Sequence, residues 1–172
     1  SGGYNNDWLL SQKLLSERQV EIDIEKVTEV FQNYYLGSDT KNGFQDNERI
    51  IIKNNFVNNI NQTKTTRFAI VTGRPKSEAI TGQNKLGLNN LDLISLDDVS
   101  EGKPSPEGIQ KLQKFYSNAS WMVGDNPDDM QAAKASNSLA IGISKNNQQG
   151  LYDAGADFVL ENINQLECWL CR

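Results

Sequence analysis

Trp121-Met122-Val123-Gly124-Asp125-Asn126-Pro127-Asp128-Asp129-Met130 is the stretch that decides how this chain is read. A short apolar run ends at Val123, and Gly124 lets the backbone turn sharply. Asn126 is a favourable N-cap and Pro127 suits the first helical position. Asp125 then lies at the C-terminal end of a strand, with Asp129 on the first helical turn. Two carboxylates converging there make a hard-oxygen site suited to Mg²⁺. Equally, one can cap the helix while the other complements its dipole.

The same strand, turn and helix order recurs on both sides. Phe68-Ala69-Ile70-Val71, Leu93-Ile94-Ser95-Leu96, Leu139 to Ile143 and Phe158-Val159-Leu160 are short and apolar, as buried parallel strands are. Helical segments are expected at Lys76 to Leu86, with Gly87 as stop, at Pro106 to Tyr116, started by Ser105 and Pro106, and at Pro127 to Ser136. A shorter connection follows at Gln148 to Ala154. Alternation of this kind implies a doubly wound, Rossmann-like α/β parallel sheet, with its ligand site beyond the carboxyl ends of the strands.

Residues 1–46 read differently. Trp8, Leu9, Leu10, Leu14 and Leu15 form one apolar stripe, and Ile24, Val27, Val30, Phe31, Tyr34 and Tyr35 another, both at helical spacing. Gly37 is a plausible stop. Asp46 or Asn47 would cap a third helix carrying Ile51, Ile52, Phe56, Val57 and Ile60. Asn5, Asn6 and Asp7 are either caps or pocket residues. The expected division is a helical section over 1–46 and an α/β core over 47–172.

Composition narrows the chemistry. The 172 residues are 37% hydrophobic with a net charge of −5, and no apolar run approaches membrane-spanning length. That charge argues against nucleic acid or an anionic membrane as partner. Without a basic or apolar leader at Ser1-Gly2-Gly3-Tyr4, a cytoplasmic location is the expectation. The glycosylation patterns at Asn61 and Asn118 carry little weight in that setting. The chain has no histidine, which removes Ser-His-Asp triads and histidine-ligated zinc. Acids, bases and nucleophiles must be carboxylates, lysines, hydroxyls or thiols. Cys168 and Cys171 form a single Cys-x-x-Cys closing an apolar helix, and are read as packed helix residues.

Three strand ends carry reactive groups. Thr72-Gly73-Arg74-Pro75 offers a hydroxyl and backbone N–H able to cradle a phosphoryl oxygen, with Arg74 as a planar cation; an ordinary threonine-capped turn reads the same. In Gly102-Lys103-Pro104, proline stiffens the approach so that the ammonium can be aimed, although a solvated lysine is common. The acidic loop is the third. Hydroxyl, lysine and paired aspartates on successive strand ends, in that order, point to phosphoryl transfer.

Ile70 to Pro75, Gly102-Lys103-Pro104 and Val123 through Asp129 resemble motifs two, three and four of the haloacid dehalogenase-like (HAD) hydrolases. The likeness covers roughly Phe68 to Leu170. The preceding helical section resembles a partial form of the helical cap inserted in the C1 branch, and Tyr4-Asn5-Asn6-Asp7-Trp8 is similar to a cap segment of a phosphatase-like group within it. The resemblance implies that Thr72 binds the phosphoryl group, helped by Gly73 and Arg74, and that Lys103 stabilises nucleophile and phosphate. Asp125 would ligate Mg²⁺, and Asp129 would ligate or orient that shell.

By the same resemblance, the nucleophile is an aspartate in an Asp-x-Asp motif ending a central first strand. Neither Asp23-Ile24-Glu25 nor Asp97-Asp98 fits it. That strand is expected between those ending at Val71 and Val123, supplied by an upstream segment or another chain. Leaving it out would strand two rows of backbone donors and acceptors at about 1–3 kcal/mol each, so the 172 residues are not expected to form one intact sheet. The expected activity is Mg²⁺-dependent hydrolysis of a small phosphorylated metabolite through an aspartyl-phosphate, with the fragment itself inactive. A phosphomutase or a non-catalytic phosphate-binding pseudoenzyme are the alternatives. Some members of the group carry names from histidine biosynthesis, including a dehydratase; that chemistry relies on histidine metal ligands, which this chain lacks.

Overall fold

The computed structural model of the protein describes residues 6–38, 40–116 and 120–170. The expectations placed on Ser1 to Asn5, Asn118 and Cys171 lie outside the described residues. The chain divides into two compact units, one spanning Asn6–Ile50 and the other taking the residues from Ile51 onward.

In the first unit, Asn6 caps helix α1 (Asp7–Ser16), its Oδ1 accepting from the N–H groups of Trp8 and Leu9 at 3.0 and 3.1 Å. That settles Asn6 as a cap. Helix α2 (Ile24–Leu36) ends at Gly37, whose φ of 80° favours glycine. The helix stops at Gly37 as expected, but the rest of the section expected to be helical is a hairpin of β1 (Gly37–Ser38) and β2 (Lys41–Asn42), followed by a 3₁₀ turn at Phe44–Asn47. The reason is packing: a Cβ on Gly43 would lie 2.2 Å from the Tyr35 carbonyl oxygen, so glycine lets the hairpin fold onto the helix end. Tyr34 stacks on Phe44 at 6.2 Å with the Lys41 ammonium over its ring. Asp46 caps no third helix; it accepts from the Gly43 N–H within this turn.

In the second unit, helix α3 (Asn54–Gln62) begins after Lys53. Five strands follow, each within a residue or two of its expected place: β3 (Ala69–Val71), β4 (Asp92–Ile94), β5 (Trp121–Gly124), β6 (Leu139–Ile143) and β7 (Phe158–Leu160). Between them lie α4 (Lys76–Leu86), α5 (Glu107–Gln113), α6 (Pro127–Ala135) and α7 (Gln148–Asp153), with α8 (Glu167–Leu170) last. All strand pairings in this unit are parallel, and the fold is a Rossmann-like α/β arrangement.

Side-chain alternation along the strands separates two cores. On one face Met122, Ala140 and Val159 pack with Met130 and Ala133 of α6 and Leu151 of α7. On the other, Val123, Ile141 and Leu160 pack with Phe56 of α3 and with Leu166. Both faces of β6 are thus covered, and Ala140 and Ile141 are fully buried. Cys168 is exposed, against the expectation that it packs.

The strands do not form one sheet. Among the described residues β3 pairs only with β4, and β5-β6-β7 form a separate ladder. The strands expected to flank a missing neighbour, β3 and β5, each keep one edge without a ladder partner. They are also less covered than β6: Ala69 and Trp121 are exposed, Trp121 by 52%.

Candidate phosphoryl-transfer site

The acidic loop folds as its sequence dictates. Asn126 accepts from the Asp128 N–H at 3.2 Å, while Asp129 Oδ2 reaches back to accept from the Asn126 N–H at 3.0 Å. This is a reciprocal capping box at the start of α6. Gly124 makes room for it: a Cβ there would lie 2.2 Å from Asp129 Oδ2 and 2.5 Å from its Cβ. The buried Asp129 carboxylate therefore rests against the end of β5.

Lys103 meets it. Its Nζ stands 2.5 Å from Asp129 Oδ1, and the two side chains are 11% and 4% exposed. The same ammonium donates to the Val71 carbonyl at 3.3 Å. Thr72 donates its N–H to Ile94 O on β4 at 2.9 Å, and backbone groups of neighbouring residues in a strand point to opposite edges. The Val71 carbonyl thus faces away from β4, toward the open edge. Lys103 spans the ends of β3 and β5, gathering the three motif loops.

The Thr72 amide is not free to cradle an oxygen, because it continues the ladder to β4. The hydroxyl accepts from the Arg74 N–H at 3.2 Å, which leaves its own hydrogen available to donate. Arg74 is exposed and Gly73 half-buried. Asp125 is exposed at the strand end, and its carboxylate has no hydrogen bond or ion pair among the described residues. The two acids therefore differ: both Asp129 oxygens are engaged within the protein, and Asp125 is open to a cation. No cluster of three or more acidic or sulfur ligands exists among the described residues. One or two carboxylates completed by phosphate oxygens and water are nonetheless an ordinary Mg²⁺ donor set, and Asp125 is the carboxylate of this loop that could join one.

A second group of charges surrounds these loops and was not anticipated from the sequence. Asp98 Oδ2 accepts from the Ser95 N–H and hydroxyl and from Lys76 Nζ, at 2.8, 2.6 and 2.7 Å. Those contacts, the lysine's foremost, hold its carboxyl well below the usual carboxylate range. Glu107 pairs with Lys111 at 2.8 Å and accepts from the Ser100 and Glu101 N–H groups. Lys111, then the Glu101 and Ser100 amides, lower its pKa to about 2. The signal in the sequence is the adjacent acids Asp97-Asp98 after a strand, which do not fit a nucleophile motif and instead brace the loops.

A sequence profile of the haloacid dehalogenase-like hydrolases matches residues 16–143, most of the chain. The chain belongs to this family. The match extends upstream of the α/β core as far as the end of α1. Among curated relatives, the chain is 28% identical over 152 residues to an imidazoleglycerol-phosphate dehydratase of Phytophthora nicotianae, covering 83% of this chain and 33% of that protein. It is 30% identical over 112 residues to the pyrophosphatase PpaX of Bacillus pumilus, covering 61% of this chain and 52% of the relative. The HAD chain described here thus spans a third to a half of these proteins. A solved hydrolase from Pseudomonas syringae superposes with a TM-score of 0.74 at 21% identity, over 98% of this chain and 79% of the other; this likeness shows the fold.

Proposed function

We propose that the protein is part of a Mg²⁺-dependent phosphohydrolase acting on a small phosphomonoester. The observation that carries the reading is the Lys103 ammonium, held between Val71 O and Asp129 Oδ1 at the mouth of the open edge between β3 and β5. It is a desolvated cation aimed where an anion attacking or leaving at that edge would be stabilised. An extended apolar segment pairing with both free edges would complete the sheet and carry an aspartate to the ammonium. That aspartate would attack phosphorus as the ester P–O bond breaks and the leaving alcohol takes up a proton, forming an aspartyl-phosphate; water then cleaves it, returning the carboxylate and releasing inorganic phosphate. Its source is an upstream segment of the same polypeptide or another chain.

In this scheme the Thr72 hydroxyl donates to a non-bridging phosphoryl oxygen. Gly73 lets the substrate approach the backbone, and Arg74 offers its guanidinium to the substrate's leaving portion. Lys103 holds the nucleophile and offsets charge on the transferring group. Asp125 would ligate Mg²⁺, which when bound neutralises phosphate charge. Asp129 acts on the lysine and the loop, since both its oxygens are already used. The dehydratase name of one relative does not transfer easily: the overlap is a third of that protein, and a chain without histidine cannot supply histidine metal ligands. The pyrophosphatase relatives favour phosphorus–oxygen cleavage, and a phosphoanhydride suits the same donors.

The test is turnover of an aryl phosphate. Residues 1–172 alone are expected to show none, and a polypeptide extended through an upstream strand ending in Asp-x-Asp is expected to hydrolyse it only with Mg²⁺. Turnover by the 172-residue form would refute the reading.

A further inference from the structure

Two loops in this site must hold a fixed relation, since one carries Thr72 and the other Lys103, 31 positions apart in the sequence with α4 and β4 between them. The hydrogen bonds show what fixes each. The Thr72 loop is tied to the segment after β4 by three contacts: Leu96 N–H to Arg74 O at 3.0 Å, Lys76 N–H to Asp97 Oδ2 at 2.7 Å, and Lys76 Nζ to Asp98 Oδ2 at 2.7 Å. Asp98 is anchored in turn by the fully buried Ser95. The Lys103 loop is held from the other side. Glu107 takes the amides of Ser100 and Glu101, just before Gly102 and Lys103. Lys111 closes the circuit, pairing with Glu107 and donating to the backbone carbonyl of Asp98.

We propose that Asp98 and Glu107, linked through Lys76 and Lys111, are positioning residues that set the Thr72 loop and the Lys103 ammonium relative to each other. Neither touches substrate. Asp98 acts through Lys76 on the loop that grips the phosphoryl group, and Glu107 acts through the 100–102 backbone on the lysine. The two arms predict different kinetic signatures. Grip by the Thr72 loop is felt in ground and transition state alike, so its loosening raises KM. Lys103 faces charge that develops during transfer, so its displacement lowers kcat. This inference rests on the phosphohydrolase reading above.

The experiment uses the polypeptide extended through the Asp-x-Asp strand, with an aryl phosphate and Mg²⁺. Asp98→Asn is expected to raise KM about tenfold with kcat nearly unchanged, the loss of one charge-assisted hydrogen bond. Lys76→Met should do the same and Lys76→Arg should restore the wild-type KM, which keeps the test open if the Asn variant folds poorly. Glu107→Gln is expected to lower kcat about tenfold with a smaller change in KM. Lys134→Met, which breaks the distant 2.7 Å bridge to Asp157, serves as control and should alter neither constant. The inference is overturned if the Asp98, Lys76 and Glu107 variants keep wild-type constants, or change them no more than the Lys134 control. Lys103→Met separates the two levels: if it loses turnover while the positioning variants keep wild-type constants, only the inference fails, and if it retains turnover, both fall.

Discussion

Gly124 and Asp129 show how much a single missing methyl group can decide. Any side chain at residue 124 would overlap the Asp129 carboxyl and its Cβ, so Gly124→Ala must push Asp129 away from both Lys103 and the Asn126 N–H. A cost of about 1–3 kcal/mol is expected from the overlap alone, read as a lower midpoint of thermal unfolding. Lys103 and Asp129 are nearly buried, so removing one partner strands the other charge. Asp129→Asn should cost about 3–5 kcal/mol, whereas exchanging the pair for two apolar residues of similar volume should cost far less in stability. A denaturant titration of the three variants checks both statements, and equal losses would place the ion pair's cost elsewhere.

At the scale of elements, the loop before Lys103 hangs on the carboxylate of Glu107 at the start of α5. Its pKa is lowered to about 2 from an ordinary 4.5 by Lys111 and the two amides. Because the folded value is the lower one, the stabilisation is complete above about pH 4.5 and is lost as pH falls toward 2. The protection of the Ser100 and Glu101 amides, corrected for intrinsic exchange, should therefore hold constant above that range and fall through it; a pH-independent opening free energy for these amides would contradict the assignment. The same helix packs closely on the first strand pair. A Cβ at Gly108 would lie 2.8 Å from Val71 Cγ1 and 3.3 Å from Ile94 Cγ2. Gly108→Ala should thus destabilise by about 1–3 kcal/mol despite the better helix propensity of alanine.

The whole molecule is governed by the divided sheet. Among the described residues, β3 and β5 each leave an edge whose N–H and C=O groups lack ladder partners, an arrangement that invites strand addition and association. An apolar peptide ending in Asp-x-Asp should protect the β3 and β5 amides from exchange, while those of the already covered β6 change little. It should also raise the unfolding midpoint as its concentration increases. A scrambled peptide of the same composition is the control; equal protection by both would show nonspecific burial.

The sequence by itself determined the strand and helix order of the α/β core, because apolar runs and their Gly, Asn and Pro punctuation are local signals. It also marked Thr72, Lys103, Asp125 and Asp129 as a set, since their order along successive strand ends is a one-dimensional pattern. It did not reveal the hairpin after α2, where Gly37 and Gly43 serve a close approach that propensity does not encode. The pairing of Lys103 with Asp129, the differing exposure of the two acids and the Asp98–Glu107 bracing were decided only by tertiary structure. These depend on which carboxylate the folded backbone brings within reach of which cation, and residues 26 positions apart carry no sign of that until the chain between them has folded.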